Sequence, residues 1–162
     1  MLLGVAERAL GRPFAQALRD GGVERALVVC GAEGLDEISC AGDTYAWSLA
    51  PDGEITESVL HPAQFGLRTH PLAVVSGGRA SENAATLTRM LTTRGGEVEE
   101  ELVPVLEFVL MNAAALLVVA GRAGDYRDGV RLAREGIASG AAWRALETFR
   151  EAGRTAMASQ GK

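Results

Sequence analysis

The first 30 residues carry a strand–helix–strand pattern, which constrains the fold more than any other feature of this sequence. Residues 2–5 are apolar, and a second strand predicted at 25–30 contains the apolar run ALVVC, which is rich in β-branched side chains. Apolar positions between them recur at helical spacing. This helix is predicted to begin near Leu10 or Gly11, with Pro13 in its first turn, and to end at a glycine pair. Because a βαβ unit makes its strands parallel neighbours, the sequence predicts an α/β fold.

Two alternating runs follow, at residues 45–49 and 54–60, and Pro-Asp-Gly separates them. Asp-Gly between such runs is typical of an antiparallel hairpin. Tyr45 and Trp47 fall on the same side of the first run, so we expect a large element to cover that face. Further along, a loop is predicted at 61–71 and helices at 80–91, 103–120 and 126–149, the last with a break at Ser139 and Gly140.

Length and charge limit the remaining possibilities. A chain of 162 residues with 48% hydrophobic and 23% charged residues suits one globular domain, predicted over 1–152 with a frayed tail at 153–162. The net charge of −5 argues against a nucleic-acid partner. The apolar segment 102–121 is long enough to span a membrane, but its Pro104, Glu107 and Asn112 favour a helix buried in a protein core. A cytoplasmic location is expected because no secretory signal is visible.

Two adjacent carboxylates, Asp36 and Glu37, follow the second predicted strand in the loop GAEGLDEIS. Open α/β sheets bind ligands just beyond the carboxyl ends of their strands. The pair is therefore a candidate ligand set for a hard cation such as Mg²⁺, with phosphate oxygens completing the octahedron. Two other interpretations stay open: solvated side chains or a helix cap, and an Asp36 side chain that accepts backbone N–H groups of its own turn.

Other candidate residues give weaker signals. Gly77 and Gly78 precede a predicted helix, where they form either an anion-binding nest or a tight turn. His61 and His70 lie in the predicted loop without a nearby cysteine, which favours exposed loop histidines over a metal site. Asn112 on the predicted buried helix is expected to satisfy a neighbouring backbone group rather than to contact substrate. The residues by themselves predict an α/β or α+β domain whose substrate they do not name.

The motif VVCGAEGLDEIS resembles the signature of the anthranilate phosphoribosyltransferases, in which a strand leads into a G-x-x-G-x-D-E-x-S loop. The likeness extends over residues 2–149, because the segments GGRASENAATLTRML, VLMNAAALLVVAG and GVRLAREGIASGAAWRALETF follow in the family's order. It covers only the C-terminal part of the family. The family's N-terminal helical domain and its glycine-rich G-T-G-G-D loop, which cradles the ribose diphosphate, have no counterpart in this sequence.

The resemblance implies the C-terminal part of a nucleoside phosphorylase/phosphoribosyltransferase-like α/β fold. It implies transfer of 5-phosphoribose from phosphoribosyl diphosphate to the amino group of anthranilate, giving phosphoribosylanthranilate and pyrophosphate in tryptophan biosynthesis. By resemblance, Asp36 and Glu37 hold a Mg²⁺ ion, and the full-length family includes homodimers. The alternative expectation is a catalytically inactive fragment, or a module that needs a separate partner, because the diphosphate-binding and anthranilate-binding motifs are absent from this sequence.

Overall fold

A computed structural model describes residues 1–93 and 98–160. It divides into two compact units: Met1–Ser76 with Val103–Ala133, and Gly77–Leu102 with Arg134–Lys162. The predicted single domain over 1–152 and the frayed tail remain predictions. Residues 153–160 belong to the last helix, and residues 94–97 and 161–162 lie outside the described part of the chain.

The first unit contains a four-stranded mixed sheet in the order β1-β2-β3-β4. Its strands are β1 (Leu2–Gly4), β2 (Ala26–Gly31), β3 (Thr44–Leu49) and β4 (Ile55–Leu60). β1 and β2 are parallel, and β3 and β4 form the antiparallel hairpin. Both pairings confirm the prediction. β2 also pairs antiparallel with β3, so the loop between these two strands reverses the chain at one end of the sheet.

Helix α1 (Arg8–Asp20) covers one face of the sheet and begins two or three residues earlier than predicted. The placement of Pro13 in the first turn is therefore wrong, because Pro13 lies inside the helix. The early start lets Arg8 lie over the Tyr45 ring, with its guanidinium carbon 3.9 Å from the ring centroid. One turn later, Gly11 faces Trp47, which is 3% exposed. The expected large covering element is thus α1.

The core beneath α1 is small and apolar, and it includes buried Val5, Ala15, Val28, Cys30 and Trp47. The Cys30 thiol is free, as expected for a reduced core cysteine. Burial, followed by the charge of Glu33, raises the pKa of this thiol. Both effects keep the thiol protonated and unreactive.

The predicted loop at 61–71 contains a short 3-10 helix, Pro62–Phe65, and a second one follows at Leu72–Val75. His61 Nδ1 accepts a hydrogen bond from the Ala63 N–H at 3.3 Å and so caps the first of them. The Phe65 ring stacks on Tyr126 with a centroid distance of 4.5 Å. This contact ties the loop to a helix more than fifty residues away in sequence.

Helix α3 (Val103–Val119) belongs to the first unit and agrees with the predicted helix at 103–120. Burial is confined to one stripe, because Val109 and Leu116 on the other side are 36% and 49% exposed. Of the described residues, Glu100–Val119 is one stretch long and apolar enough to cross a membrane, and 39% of its apolar window is buried. One such helix is weak evidence for a span, since core helices of soluble proteins meet the same criterion.

The second unit is helical. It contains α2 (Ala80–Thr92) and α5 (Ala141–Gln160), which contact each other. Helix α4 (Tyr126–Ala138) ends at Ser139 and Gly140, as predicted, and Gly140 has the left-handed φ of 71° that stops a helix. The predicted helix at 80–91 is confirmed, one residue longer at its end.

Candidate functional site

Asp36 and Glu37 lie in the loop between β2 and β3, and both side chains are exposed. Partial burial, followed by the negative charge of Asp36, raises the pKa of the Glu37 carboxyl. The negative charges of the two carboxylates therefore repel each other. A cation between them would relieve that repulsion.

The loop begins with a tight turn between Gly31 and Leu35. The Gly31 N–H donates to the Leu35 carbonyl at 2.7 Å, and the Gly34 N–H donates to the Gly31 carbonyl at 2.9 Å. Gly34 has a φ of 85°, which side-chain-bearing residues rarely adopt. The second glycine of the GAEG segment is therefore required by the turn, which brings the Leu35 carbonyl, just before Asp36, back to the end of β2.

Ser39 closes the other side of the loop and is completely buried. Its N–H donates to Thr44 Oγ1 at 2.9 Å, while its Oγ accepts from the Ala41 N–H at 3.0 Å. The same hydroxyl donates to the Glu33 carboxylate. Through these bonds, the serine of the D-E-x-S motif stabilises the conformation of the loop rather than binding a ligand.

Asn112 on α3 holds the residue that follows Glu37. Its Oδ1 accepts from the Ile38 N–H at 2.9 Å, and its Nδ2 donates to the Ile38 carbonyl at 3.2 Å. This confirms the prediction that Asn112 satisfies a backbone group. Nothing in the sequence indicated that this group belongs to the loop that carries Asp36 and Glu37, called the acidic loop below.

An open cleft of about 530 Å³ lies along the same loop. It is lined by loop residues on both sides of the acidic pair and by one residue of the second 3-10 helix: Ala32, Glu33, Ala41, Gly42, Asp43 and Leu72. The cleft gives a ligand access to the loop backbone from solvent.

A polar network that the sequence did not predict is centred on Glu107 of α3, five residues before Asn112. Glu107 is 7% exposed, and its Oε2 lies 2.7 Å from His70 Nε2. The Arg68 N–H donates to the same carboxylate at 3.2 Å, and Arg68 Nε does so at 3.4 Å. Burial would raise the pKa of Glu107, but the hydrogen bond from His70 and the contacts from Arg68 outweigh it, so the pKa is lowered.

The interpretation of His70 as an exposed loop histidine is therefore wrong, because its side chain is only 12% exposed and contacts a buried carboxylate. A signal was available: a glutamate in the middle of an apolar helix needs a partner, and the partner must come from elsewhere in the chain. Nothing in the sequence indicated which loop supplies it.

At the start of α2, the N–H groups of Gly78 and Arg79 are bonded to side chains of the helix itself. The Gly78 N–H donates to Asn83 Oδ1 at 2.7 Å, and the Arg79 N–H donates to Glu82 Oε2 at 2.6 Å. The helix start is thus capped by its own side chains. This favours the tight-turn interpretation over an anion-binding nest.

Comparison with known proteins places this chain in a family. The profile described as "Glycosyl transferase family, a/b domain" matches residues 1–143. The chain belongs to this glycosyl transferase family. The anthranilate phosphoribosyltransferase of Schizosaccharomyces pombe is 47% identical to it over 148 residues, which are 91% of this chain and 40% of the relative. The chain thus spans about 40% of the length of the curated relatives it matches.

Solved structures of the family confirm the fold class. The anthranilate phosphoribosyltransferase of Saccharomyces cerevisiae in complex with 4-fluoroanthranilate is similar with a TM-score of 0.81 and 31% identity, over 91% of this chain and 41% of that one. The same enzyme in complex with PRPP and Mg matches with equal score, identity and coverage. The mixed sheet packed with helices is therefore the phosphoribosyltransferase-type α/β fold that the sequence predicted.

The carboxylates of Asp36 and Glu37 are suitable ligands for a hard cation. Asp36 and Glu37 provide adjacent carboxylate oxygens, which Mg²⁺ prefers, and both are exposed to an incoming ligand. Among residues 1–93 and 98–160, no group of three or more His, Cys, Asp or Glu side chains is arranged to hold a metal ion. Mg²⁺ is commonly held by one or two carboxylates together with substrate phosphate oxygens, and the pair provides two such carboxylates.

Proposed function

We propose that this chain carries the metal-holding part of an enzyme that transfers 5-phosphoribose from phosphoribosyl diphosphate to the amino group of anthranilate. The products are phosphoribosylanthranilate and pyrophosphate. The observation that carries the proposal is the exposed Asp36 and Glu37 pair, in a loop whose shape is fixed from both ends, within this family. The S. cerevisiae relative described with PRPP and Mg supports both the substrate class and the ion.

Asp36 and Glu37 would hold the Mg²⁺ ion. When bound, the ion neutralises charge that develops on the diphosphate oxygens as the bond to ribose breaks. The chain's own contribution is positional. The turn at Gly34, the buried Ser39 and the Asn112 amide keep the loop in one conformation before the substrate arrives. Such preorganisation lowers the cost of assembling the site.

The partners follow from the same proposal: phosphoribosyl diphosphate and anthranilate, with no nucleic acid. The net charge of −5 supports this, because a protein that binds nucleic acid through its surface needs a basic patch. A homodimer of the full-length protein, a cytoplasmic location and tryptophan biosynthesis as the pathway complete the proposal. Inactivity of the isolated chain remains the alternative.

The test follows the loss of anthranilate fluorescence in the presence of phosphoribosyl diphosphate and Mg²⁺. The 162-residue chain is assayed alone and together with the part of the S. pombe relative that it does not match, supplied as a second polypeptide. We expect turnover in the mixture, and we expect Asp36→Asn with Glu37→Gln to abolish it. Turnover by the chain alone would refute the inactive alternative.

The matched control removes two carboxylates elsewhere in the first unit. Glu24 and Glu54 are exposed, and the double variant Glu24→Gln, Glu54→Gln changes the net charge by the same amount. We expect this control to retain turnover. If the variant of the acidic pair retains Mg²⁺-dependent turnover as the control does, the assignment of the metal to Asp36 and Glu37 is wrong.

A further inference from the structure

We propose that Asn112 is a positioning residue for the metal-binding loop: its side-chain amide fixes the backbone on which Asp36 and Glu37 are mounted. The inference rests on the proposed function, since it assigns a role at the same site. It adds a residue from α3, 74 positions away from the loop residue it contacts.

The contact joins Asn112 to a single loop residue twice. Asn112 Oδ1 accepts from the Ile38 N–H at 2.9 Å, and Asn112 Nδ2 donates to the Ile38 carbonyl at 3.2 Å. The Ile38 N–H belongs to the peptide unit that joins Glu37 to Ile38. The amide of Asn112 therefore sets the plane of the peptide at the base of the Glu37 side chain.

Two further features make the arrangement stiff. Asn112 Nδ2 also donates to the Phe108 carbonyl one turn back at 3.1 Å, which fixes the side-chain rotamer against its own helix. Ile38 is completely buried, so its side chain is anchored in the core while its backbone is held by the amide. The exposed carboxylates consequently sit on a backbone that is fixed from beneath.

A carboxamide is well suited to this pair of bonds. A carboxamide accepts through its oxygen and donates through its nitrogen, as the N–H and the carbonyl of one residue require. An alanine makes neither bond, and a leucine restores the volume but not the hydrogen bonds. Without the amide, the Ile38 N–H and carbonyl lose these hydrogen-bond partners. The loop therefore gains alternative conformations. Residues that orient metal ligands from outside the first coordination sphere typically change metal affinity by about 10–100-fold.

The experiment measures Mn²⁺ binding to the 162-residue chain by the electron paramagnetic resonance signal of free Mn²⁺. Mn²⁺ serves as the probe because it shares the oxygen preference of Mg²⁺. We expect Asn112→Ala to weaken binding by about tenfold or more. Asn112→Leu keeps the packing and gives the same result if Asn112→Ala does not fold. Amide hydrogen exchange at Ile38 should accelerate in either variant.

The matched control is Glu107→Gln, which removes a buried charge from the same helix and whose hydrogen bonds go to Arg68 and His70 rather than to Ile38. Its thermal midpoint should fall while its Mn²⁺ affinity stays within about twofold of the unmodified chain, which separates loop positioning from general stability. If the Asn112 variants bind Mn²⁺ as the unmodified chain does, while Asp36→Asn with Glu37→Gln does not, the inference fails and the proposed site stands. If the acidic-pair variant also binds Mn²⁺ normally, the proposed site fails, and the inference fails with it.

Discussion

The backbone of Gly4 lies directly against the carbonyl of Asp36. A Cβ built on Gly4 would stand 1.6 Å from the Asp36 carbonyl oxygen and 2.4 Å from its carbonyl carbon. The first strand therefore supports the acidic loop through a contact that excludes every side chain. This places the loop between β1 on one side and Asn112 of α3 on another.

Substituting Gly4 with alanine should disturb both the fold and the loop. The added methyl meets backbone atoms, which cannot rotate away, so we expect a loss of about 3 kcal/mol in the free energy of unfolding, at the upper end of overpacking effects. Mn²⁺ affinity should fall with it, because the strand or the loop must move. Chemical denaturation and Mn²⁺ titration measure the two effects. Gly124→Ala is the control, since a Cβ at Gly124 has nothing within 4 Å.

The contact between Gly11 and Trp47 allows a second test. A Cβ at Gly11 would lie 2.1 Å from the Trp47 ring, which is buried beneath α1. Although alanine favours a helix by about 1 kcal/mol over glycine, we expect Gly11→Ala to destabilise the chain by about 1–3 kcal/mol. Gly136→Ala in α4 has open space and should stabilise the chain by up to about 1 kcal/mol. A stabilised Gly11→Ala variant would contradict the packing described for α1.

Because of Glu107, the folded chain should become less stable as the pH falls through the acidic range. Its pKa is lower in the folded chain than in the unfolded one, so the ionised carboxylate stabilises the fold. That contribution is present above the unfolded pKa of about 4.3 and is lost as the pH falls through the folded pKa. Thermal midpoints measured between pH 6 and pH 3 should therefore fall more steeply for the unmodified chain than for Glu107→Gln.

At pH 6, Glu107→Gln should cost about 2 kcal/mol, because hydrogen bonds to charged groups contribute about 1.5–3 kcal/mol each and Arg68 is largely solvent-exposed. The difference between the two proteins should narrow toward pH 3. Parallel stability curves over this range would show that the contacts of Glu107 with His70 and Arg68 do not depend on its charge.

Because of Tyr126, the folded chain should become less stable as the pH rises through the alkaline range. Burial raises the pKa of its hydroxyl, and the ring stacks on Phe65. Since the folded pKa lies above the unfolded value of about 10, the stabilising contribution is complete below pH 10 and is lost as the pH rises through the folded pKa. Tyr126→Phe keeps the stacked ring without an ionisable group. Its thermal midpoint should fall less than that of the unmodified chain between pH 9 and pH 11.

Local patterns in the sequence were sufficient for most of the strands and helices and for the position of the acidic loop. The parallel strands, the hairpin and the helix break at Gly140 were all predicted, because alternation, helical periodicity and turn glycines act over a few residues. The resemblance to anthranilate phosphoribosyltransferases also lies in short motifs, and the relatives confirm it. The predicted start of α1 was wrong: the helix begins at Arg8, whose guanidinium lies over the Tyr45 ring, and it contains Pro13 in its interior.

Only the tertiary structure decided how the acidic loop is held. The sequence alone determined that Asp36 and Glu37 follow a strand and that Asn112 needs a backbone partner. It did not indicate that this partner is Ile38, that Gly4 lies beneath Asp36, or that His70 pairs with Glu107. Each of these contacts joins residues more than thirty positions apart, and each depends on where strands and helices pack. Side-chain chemistry restricts the type of partner, whereas the packing of the chain selects the residue.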